Sequence, residues 1–235
     1  MSRTILITGA TSSFGRELIS RLPSDVRIVA VSRQPLPPEM SKDSRIINVI
    51  TDLGTTDFLN DFDNKIDFFQ IDEVVHFAAA SMRIQNFSSN TSEQLLIDYQ
   101  INFLSVVALL TKVVATRKQN PRQIRIVLML TDMLRSAKKG ETSYITSKFA
   151  LLGLVNSLST EFSGNDLRIN AVSPSLVETK FVEHFPEFLR TDISNKHPMK
   201  HHCTVAEVID SVEFLLSPQS SFINGQNIFI NGGEK

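Results

Sequence analysis

Short, almost uninterrupted apolar runs alternate along the chain with longer segments of helical period, and this alternation constrains the fold more than any other feature. Runs such as ILITG and IRIVLML lack polar-apolar alternation, which is typical of parallel strands covered on both faces by helices. We therefore expect an α/β protein, a Rossmann-type doubly wound parallel sheet of about seven strands flanked by helices on both faces. The predicted strands cover 3–8, 26–32, 46–50, 73–78, 124–131, 167–172 and 227–231.

Size and composition fit one globular domain spanning 1–235, with 42% apolar residues and a net charge of −1. This charge gives no reason to expect nucleic acid or an anionic membrane as a partner. Cys203 is the only cysteine, so no intrachain disulfide forms and a reducing cytoplasm fits. Neither a signal segment nor a later run of membrane-spanning length stands out, so we expect a cytoplasmic, unsecreted protein.

The segment ILITGATSSFGREL joins the first strand to the first helix, with Gly9 at the turn and Gly15 where the helix packs on the sheet. A helix N-terminus behind a glycine turn makes a site for a dinucleotide pyrophosphate. Ser13 stands where a middle glycine would allow the closest approach of backbone to phosphate. An ordinary strand-to-helix turn is the alternative interpretation.

The ends of the next two strands predict which dinucleotide binds. Ser32 and Arg33 follow the second strand, where a serine and a guanidinium suit the 2′-phosphate of NADP, so NADP(H) is favoured over NAD(H). A solvated surface arginine is the alternative for Arg33. Asp52, after the third strand, is placed to accept from the adenine amino group, or else it is a turn or N-cap aspartate.

The run YITSK places Tyr144 and Lys148 four residues apart in a predicted helix, and Thr131 closes a strand upstream. This spacing puts both side chains on one helix face, so the Lys148 ammonium is expected to lower the pKa of the Tyr144 phenol. A phenol tuned in this way acts as a general acid or base. For an isolated match of this kind, two side chains on a solvated helix face are the alternative.

Taken in order, these motifs resemble the short-chain dehydrogenase/reductase family, in its compact single-domain branch, from Thr4 to Gly233. TGATSSFG resembles the glycine-rich loop of the family, HFAA at 76–79 takes the place of Asn-Asn-Ala-Gly, and YITSK matches the catalytic Tyr-x-x-x-Lys. RINAVSPSLVET, from Arg168 to Thr179, resembles the segment after the sixth strand, and FLLSPQSSFINGQNIFINGG resembles the carboxyl-terminal sheet edge.

The chain departs from the family pattern at several positions. Ser13 replaces a glycine, and Thr131 replaces the serine that holds the substrate oxygen. His76 and Phe77 replace two asparagines, and we expect them to pack under the cofactor as apolar bulk. Ser175 stands where proline is usually followed by glycine. The departures at Ser13 and Ser175 concern the geometry in which the cofactor is held. The exchange at Thr131 concerns the rate of the reaction more than its type.

The resemblance implies an NADP-dependent ketoreductase-like oxidoreductase that reduces a ketone to a secondary alcohol, or the reverse. Tyr144 would protonate the carbonyl oxygen, Lys148 would lower its pKa and bind the nicotinamide ribose, and Thr131 would hold the substrate oxygen. Asn102 matches the asparagine that supports a water-linked proton relay to the lysine. The alternatives are a helix-packing role for Asn102 and a strand-end cap for Thr131.

The predicted cofactor contacts combine the glycine loop, the strand ends and the residues that the resemblance assigns to the nicotinamide. In the latter group, the backbone of Val177 and the side chain of Thr179 would contact the carboxamide. The full set is Gly9, Thr11, Ser12, Ser13, Phe14, Gly15, Ser32, Arg33, Asp52, Leu53, Ala78, Ala79, Tyr144, Lys148, Pro174, Val177 and Thr179.

The weakly patterned stretch 176–204 is predicted to form a substrate-binding lid over a small-molecule carbonyl or alcohol whose identity the sequence does not give. Its apolar wall would include Phe181, Phe185, Phe188 and Leu189. The stretch also carries His184, His197, His201 and His202. The adjacent pair His201-His202 cannot easily reach one ion, and no carboxylate is spaced to complete a site, so we expect no metal.

Two helices, at about 92–118 and 143–163, carry apolar residues on more than one face. A homodimer or homotetramer is therefore expected, with packing of the same faces on the sheet as the alternative. The residues concerned are Phe103, Val107, Leu110, Phe149, Leu152 and Val155. Two other functions stay open: a nicotinamide-using epimerase or isomerase, and a cofactor-binding sensor or scaffold with weakened catalysis.

Overall fold

A computed structural model of the protein describes residues 3–62, 65–116, 123–162, 167–179 and 186–234. Seven parallel strands form one sheet in the order β3-β2-β1-β4-β5-β6-β7, so the predicted doubly wound architecture is confirmed. The strands are β1 (Thr4–Thr8), β2 (Arg27–Ser32), β3 (Ile46–Ile50), β4 (Glu73–His76), β5 (Ile124–Met129), β6 (Leu167–Pro174) and β7 (Asn227–Ile230).

Helices cover both faces of the sheet, which explains the unbroken apolar runs of the strands. Within β1, Leu6 packs into one core, whereas Ile5 and Ile7 pack into the other. The helices are α1 (Ser13–Arg21), α2 (Pro38–Ser41), α3 (Ser92–Tyr99), α4 (Ser105–Ala115), α5 (Thr142–Glu161), α6 (Glu187–Lys196) and α7 (Val205–Leu216). A π-helical turn, Gln100–Leu104, joins α3 to α4.

The strand order reverses direction at β1, which lies between β2 and β4. The chain adds β2 and β3 on one side of β1 and then crosses over to add β4 and the remaining strands on the other. At such a switch point the connections leave the sheet in opposite directions and open a crevice at the carboxyl ends of the strands. The topology therefore places a binding crevice at the ends of β1 and β4.

One helical run, Ser92–Ala115, is long and apolar enough to cross a membrane by length and composition alone, with a mean hydropathy of 1.4. The expectation that no segment reaches such a length was therefore wrong. The finding is weak evidence for a span, because core helices pass the same test. In this run Val106, Leu109 and Val113 are buried against the sheet.

Candidate active site

The glycine turn after β1 is shaped by two close backbone approaches. Gly9 has a φ of +68°, and a Cβ there would lie 2.9 Å from the Ala78 nitrogen. A Cβ on Gly15 would lie 2.5 Å from the Gly9 oxygen, so α1 is pressed against the turn. Ser12 caps α1, since its Oγ accepts from the Gly15 N–H at 3.0 Å, and Ser13 begins the helix. Small residues therefore leave the positive end of the helix dipole open to a ligand.

The ends of β2 and β3 lie beside this turn. Ser32 is buried, and its hydroxyl donates to the Gln34 oxygen at 2.7 Å, so this donor is already engaged. Arg33 is exposed and lines the crevice together with Arg16 of α1. Asp52 also lines the crevice while its Oδ1 accepts from the Gly54 N–H at 2.8 Å, as the turn interpretation expected. Two guanidinium groups thus flank one end of the crevice.

The crevice is a cavity of about 620 Å³ that runs from the glycine turn to the ends of β5 and β6. It brings together nearly all of the predicted site residues. Gly15 and Asn102 are the two that do not line it: Gly15 packs beneath the turn, and Asn102 borders a small neighbouring cavity. The predicted residues that line it are Gly9, Thr11, Ser12, Ser13, Phe14, Ser32, Arg33, Asp52, Leu53, Ala78, Ala79, Thr131, Tyr144, Lys148, Pro174, Val177 and Thr179.

Tyr144 and Thr131 meet at the far end of this cavity. Thr131 follows β5 and caps a 3₁₀ turn, where its Oγ1 accepts a long 3.4 Å bond from the Met133 N–H. The same hydroxyl forms a hydrogen bond with the Tyr144 phenol. The strand-end cap and the hydrogen bond to Tyr144 therefore coexist. Two hydroxyl groups converge where a substrate oxygen entering the cavity would meet both.

Lys148 lies one helical turn behind Tyr144 on α5 and is 2% exposed. Its Nζ donates to the Met129 oxygen at 2.8 Å and lies 5.7 Å from the centroid of the Tyr144 ring. Burial lowers the pKa of the Lys148 ammonium to about 8. The charge that was expected to act on Tyr144 is therefore itself poorly solvated.

The pKa of Tyr144 moves in the direction opposite to the sequence-based prediction. Burial of the phenol raises its pKa above the ordinary value, and the Thr131 hydrogen bond opposes this rise only in part. The carboxylates of Glu141 and Asp132 raise it further. The prediction was wrong in sign because desolvation of the phenolate, which spacing along a helix does not reveal, is the largest cause of the shift, and the Lys148 ammonium is not among its causes. Tyr144 is consequently a protonated phenol across the neutral range.

Asn102 lies buried in the π-helical turn, and both ends of its side-chain amide are engaged. Its Oδ1 accepts from the Ala80 N–H at 2.7 Å, and its Nδ2 donates to the Ser147 Oγ at 3.0 Å. Ser147 in turn donates to the Tyr144 carbonyl at 2.7 Å. The side chain thus ties the segment after β4 to α5, which is the helix-packing alternative. The water-linked relay from Asn102 to Lys148 stays a prediction.

His76 and Phe77, which replace two asparagines of the family pattern, occupy different places. Phe77 lines the cavity and stacks on Phe14 at 5.8 Å between ring centroids. His76 lies below, outside the cavity lining, with its Nδ1 hydrogen-bonded to the Thr8 Oγ1 at 2.8 Å. Burial, with a smaller effect of Lys148, lowers the pKa of His76 to about 3. His76 is therefore a neutral side chain that supports the floor of the site.

The predicted lid, 176–204, is only partly within the described residues. Leu176, Val177 and Thr179 line the cavity, and Val177 forms a parallel bridge with Cys203. Helix α6 ends at Lys196 and is capped by His197, which is buried and hydrogen-bonded to the Asn231 oxygen at 3.0 Å. Phe188 is 74% exposed and so does not form a wall there. Phe181, His184, Phe185 and the side chain of Leu189 lie outside the described residues.

Sequence reasoning missed several residues of the cavity. Arg16 was missed because it lies near the start of a helix with no distinguishing pattern. No motif included Arg83, Asp98 or Asp132. Burial, followed by the nearby Glu234, raises the pKa of Asp132 to about 6. Among the described ranges, no group of three His, Cys, Asp or Glu side chains is placed to hold a metal. Two of these four residues lie on α-helices, one in a 3₁₀ turn and one in an irregular segment, and none of them belongs to a motif with a recognisable spacing.

Known proteins resemble this chain along its whole length. The 3-oxoacyl-[acyl-carrier-protein] reductase FabG of Buchnera aphidicola subsp. Schizaphis graminum is 27% identical over 240 aligned positions, covering 98% of this chain and 96% of the relative. Carbonyl reductase [NADPH] 2 of Sus scrofa is 28% identical over 234 positions, covering 97% of this chain and 94% of the relative.

A solved structure of 4-hydroxyisoleucine dehydrogenase complexed with NADH superposes with a TM-score of 0.91, covering 99% of this chain and 98% of that one. Because the two chains are only 22% identical in sequence, this similarity supports the fold alone. The family model described as enoyl-(acyl carrier protein) reductase, one of the short-chain dehydrogenase/reductase models, matches residues 41–235. Since this match covers most of the sequence, the chain belongs to the short-chain dehydrogenase/reductase family of oxidoreductases, which act on CH–OH and C=O groups.

Proposed function

We propose that the protein is an NADP(H)-dependent ketoreductase that reduces a ketone to a secondary alcohol, or runs the reverse reaction. The observation that carries the proposal is the convergence of Tyr144, Thr131 and Lys148 at one end of a cavity whose other end is a glycine turn at a helix N-terminus. The relatives named as 3-oxoacyl and carbonyl reductases support the same reaction class. The cavity volume of about 620 Å³ is within the range of small-molecule and cofactor sites.

The cavity fits a nicotinamide dinucleotide. The turn at Gly9 and the N-terminus of α1 offer backbone N–H groups to a pyrophosphate, and a side chain at Gly9 or Gly15 would collide with neighbouring backbone. When bound, the cofactor supplies or accepts the hydride. Lys148 is placed at the Tyr144 end, where the family pattern has it bind the nicotinamide ribose. Pro174 at the end of β6, and Val177 and Thr179 in the segment that follows it, would hold the nicotinamide end.

NADP is favoured over NAD because Arg16 and Arg33 both line the opposite end of the cavity. Guanidinium groups suit a phosphate monoester, although the Ser32 hydroxyl is not available as a donor there. We expect Arg16→Ala and Arg33→Ala each to raise the KM for NADPH by about 10-fold and to change the KM for NADH little. Equal losses with both cofactors would contradict the preference.

The chain itself provides the proton chemistry. A Tyr144 phenol with a raised pKa is protonated at neutral pH and is ready to protonate a carbonyl oxygen during reduction. The Thr131 hydroxyl orients the same oxygen, and the Lys148 ammonium stabilises negative charge that develops on the phenol. Alcohol oxidation requires the phenolate instead. Reduction should therefore persist at lower pH than oxidation.

The test uses the two tyrosines of the chain as a matched pair. Purified protein is assayed with NADPH and a panel of ketones by loss of cofactor absorbance. We expect Tyr144→Phe to abolish turnover while NADPH binding is preserved, and Tyr99→Phe, outside the cavity, to retain it. Full activity of Tyr144→Phe would refute the proposed role. Conversion of a substrate without net cofactor turnover would identify an epimerase or isomerase instead.

We also propose that stretch 176–204 acts as a substrate lid on a single domain, 1–235. Support comes from Leu176 and Val177 in the cavity wall, and from His197, whose bond to the Asn231 oxygen anchors the end of α6. Substituting Leu176 with alanine should change the KM for ketones more than the KM for NADPH. An equal change in both constants would argue that this segment serves the cofactor alone.

A homodimer or homotetramer is proposed from apolar side chains left exposed on α3, α5 and the π-helical turn. Leu96, Ile97, Leu104 and Phe149 are 67%, 49%, 45% and 47% exposed, respectively. Two of the residues that the sequence analysis placed on such faces, Leu110 and Val155, instead pack in the core. Light scattering should give at least twice the mass of one chain, and a monomer at micromolar concentration would contradict the proposal.

We propose the cytoplasm as the compartment, since a single cysteine and a near-neutral net charge suit a reducing, aqueous environment. The relatives named FabG support this compartment only through shared family membership, since their names state no location. Fractionation of the source cells should recover the protein without detergent. Recovery only with the membrane fraction would overturn the assignment.

A further inference from the structure

Arg83 lies in the segment that follows β4 and lines the cavity. It also borders the small neighbouring cavity together with Tyr144. Its side chain is 42% exposed, and its Nη2 donates to the Oδ1 of Asp98 on α3. Asp98 is buried, and its Oδ2 accepts from the Ser143 hydroxyl at 2.7 Å. Ser143 immediately precedes Tyr144. Arg83 is therefore tied, through two side chains, to the helix that carries the proposed acid.

This linkage holds the Arg83 guanidinium in place but engages only one of its nitrogen atoms. A guanidinium has five N–H donors in a planar fork, which matches a carboxylate or phosphate group in a two-point contact. One nitrogen of Arg83 bonds Asp98, and the other guanidinium nitrogens have no hydrogen-bond partner among the described residues. An arginine anchored on one edge and exposed on the other is preorganised for an anion.

The position separates Arg83 from the other cations of the cavity. Arg16 and Arg33 flank the glycine-turn end, and Lys148 is buried behind Tyr144. At the Tyr144 end, the remaining ionisable side chain of the lining besides Asp98 is Asp132, whose pKa burial raises to about 6. Among the described lining residues, Arg83 is thus the partly exposed cation next to the place where the substrate carbonyl would bind.

We propose that Arg83 is a specificity-determining residue that binds a carboxylate or phosphate group on the carbonyl substrate. The inference rests on the proposed ketoreductase function and adds a substrate class to it. An anion held by Arg83 would orient the substrate with its carbonyl toward Tyr144 and Thr131. Ser143 and Asp98 are positioning residues, because they act through the guanidinium.

A purely structural role for Arg83, compensating the charge of buried Asp98, makes a different prediction. Loss of that compensation would disturb α3 and α5 and would affect every substrate alike. Binding of a substrate anion would instead affect charged substrates selectively, mainly through KM. The ratio of kcat/KM for an anionic ketone to that for its neutral counterpart separates the two roles.

The experiment uses ketones of matched shape: a keto acid against its amide, and a keto phosphate against its alcohol. We expect the wild-type protein to prefer the anionic member by about 10- to 100-fold in at least one pair, and Arg83→Gln to remove most of that preference. Arg83→Lys should retain part of it. Arg135→Gln is the control, because Arg135 lies over the Phe229 ring, 4.7 Å from its centroid, and outside the cavity lining.

The two pairs also distinguish the source of the anion, since preference within only one of them identifies carboxylate or phosphate. NADPH affinity and melting temperature are measured for each variant to establish that it is folded. No charge preference in the wild-type protein, or a preference that survives Arg83→Gln or falls equally in Arg135→Gln, would overturn the inference.

A binding measurement keeps this inference separate from the proposed function. Calorimetry with NADP⁺-saturated protein compares the same anionic and neutral ligands without any need for turnover. Anion binding that depends on Arg83 in a protein that reduces no ketone would support the anion site and refute the ketoreductase. Turnover without charge preference would support the ketoreductase and refute the anion site. A protein that shows neither anion binding nor turnover would refute both proposals.

Discussion

Buried charged side chains have different surroundings at the two ends of the parallel strands. We call the amino ends of the strands the amino edge of the sheet and their carboxyl ends the carboxyl edge. At the amino edge, Arg168 is 3% exposed and donates to four backbone oxygens at 2.9–3.3 Å. Beside it, buried Glu73 forms salt bridges with Arg3 and Arg125 at 3.0 and 3.1 Å. At the carboxyl edge, Lys148 is buried to the same degree as Arg168 but has one backbone partner, the Met129 oxygen.

Burial alone therefore does not decide the role of a charged side chain. Desolvation costs free energy at both edges, and at the amino edge it lowers the pKa of Arg168 and raises the pKa of Glu73. Several hydrogen bonds and ion pairs offset part of this cost there, and the bonds of Arg168 tie α7 to β6. At the carboxyl edge fewer bonds offset the cost, and it appears in the shifted pKa values of Lys148, Tyr144 and His76. Groups with so few partners are suited to proton chemistry, whereas groups held by several bonds serve stability.

Exchange of Lys148 for methionine is the strongest test of this contrast. We expect kcat/KM to fall by about 10³-fold, because charge on the Tyr144 phenol is no longer stabilised. The free energy of unfolding should not fall, since a poorly solvated ammonium is replaced by an apolar chain of similar length. Ketone kinetics and urea denaturation measure the two quantities. Loss of stability without loss of activity would reverse the roles assigned to the edges.

Exchange of Arg168 for methionine tests the other edge. We expect the free energy of unfolding to fall by about 3 kcal/mol, because several carbonyl groups lose their donors. Activity per folded molecule should stay unchanged at temperatures where the variant is folded. Urea denaturation gives the measurement, with Arg27→Met as the control at an exposed arginine of β2. A change no larger than that of the control would show that the network is dispensable.

His76 makes the carboxyl edge sensitive to acid. Its pKa in the folded protein is about 3, below the ordinary value of 6.5, so the unfolded chain binds a proton more readily. Stability from this group is complete above pH 6.5 and is lost as the pH falls toward 3. Between pH 6.5 and 5 we expect a loss of about 2 kcal/mol, which His76→Asn should remove. Unfolding curves with the same pH slope for both proteins would contradict this.

Asp132 should have a smaller effect of the opposite sign. Its folded-state pKa is raised from 3.8 to about 6, so the folded protein binds the proton more readily. This contribution is complete below pH 3.8 and is lost as the pH rises through 6. Because Asp132 is partly exposed, we expect Asp132→Asn to be only about 1 kcal/mol more stable than the wild type at pH 8. The two should differ little at pH 3.5 in urea denaturation, and an unchanged difference across this range would contradict the assignment.

The sheet was predictable because its strands are unbroken apolar runs, and only structures covered on both faces require such runs. The glycine turn and the Tyr144-Lys148 pair were predictable because each depends on local spacing. The pKa direction of Tyr144 was not, since it depends on the walls that surround the phenol. Burial is a property of the assembled fold, and neighbours in sequence do not report it.

The pairing of Arg83 with Asp98 was also beyond the sequence. The segment after β4 has no periodic pattern, and Asp98 lies on a helix whose orientation is set by packing against α5. Asn102 carried a role by resemblance, but its actual bonds to Ala80 and Ser147 depend on the π-helical turn. No composition rule predicts that turn. Contacts between irregular segments and helix faces are therefore where the structure adds most.

The lowered pKa of Lys148 has a practical consequence for chemical biology. At pH 8 about half of such amines are unprotonated and nucleophilic, compared with less than about 1% of an unperturbed lysine. A small amine-reactive electrophile that enters the cavity should thus modify Lys148 ahead of solvated lysines. Occupants of the cavity would shield it, so covalent labelling followed by mass spectrometry offers a way to screen for ligands before any substrate is known.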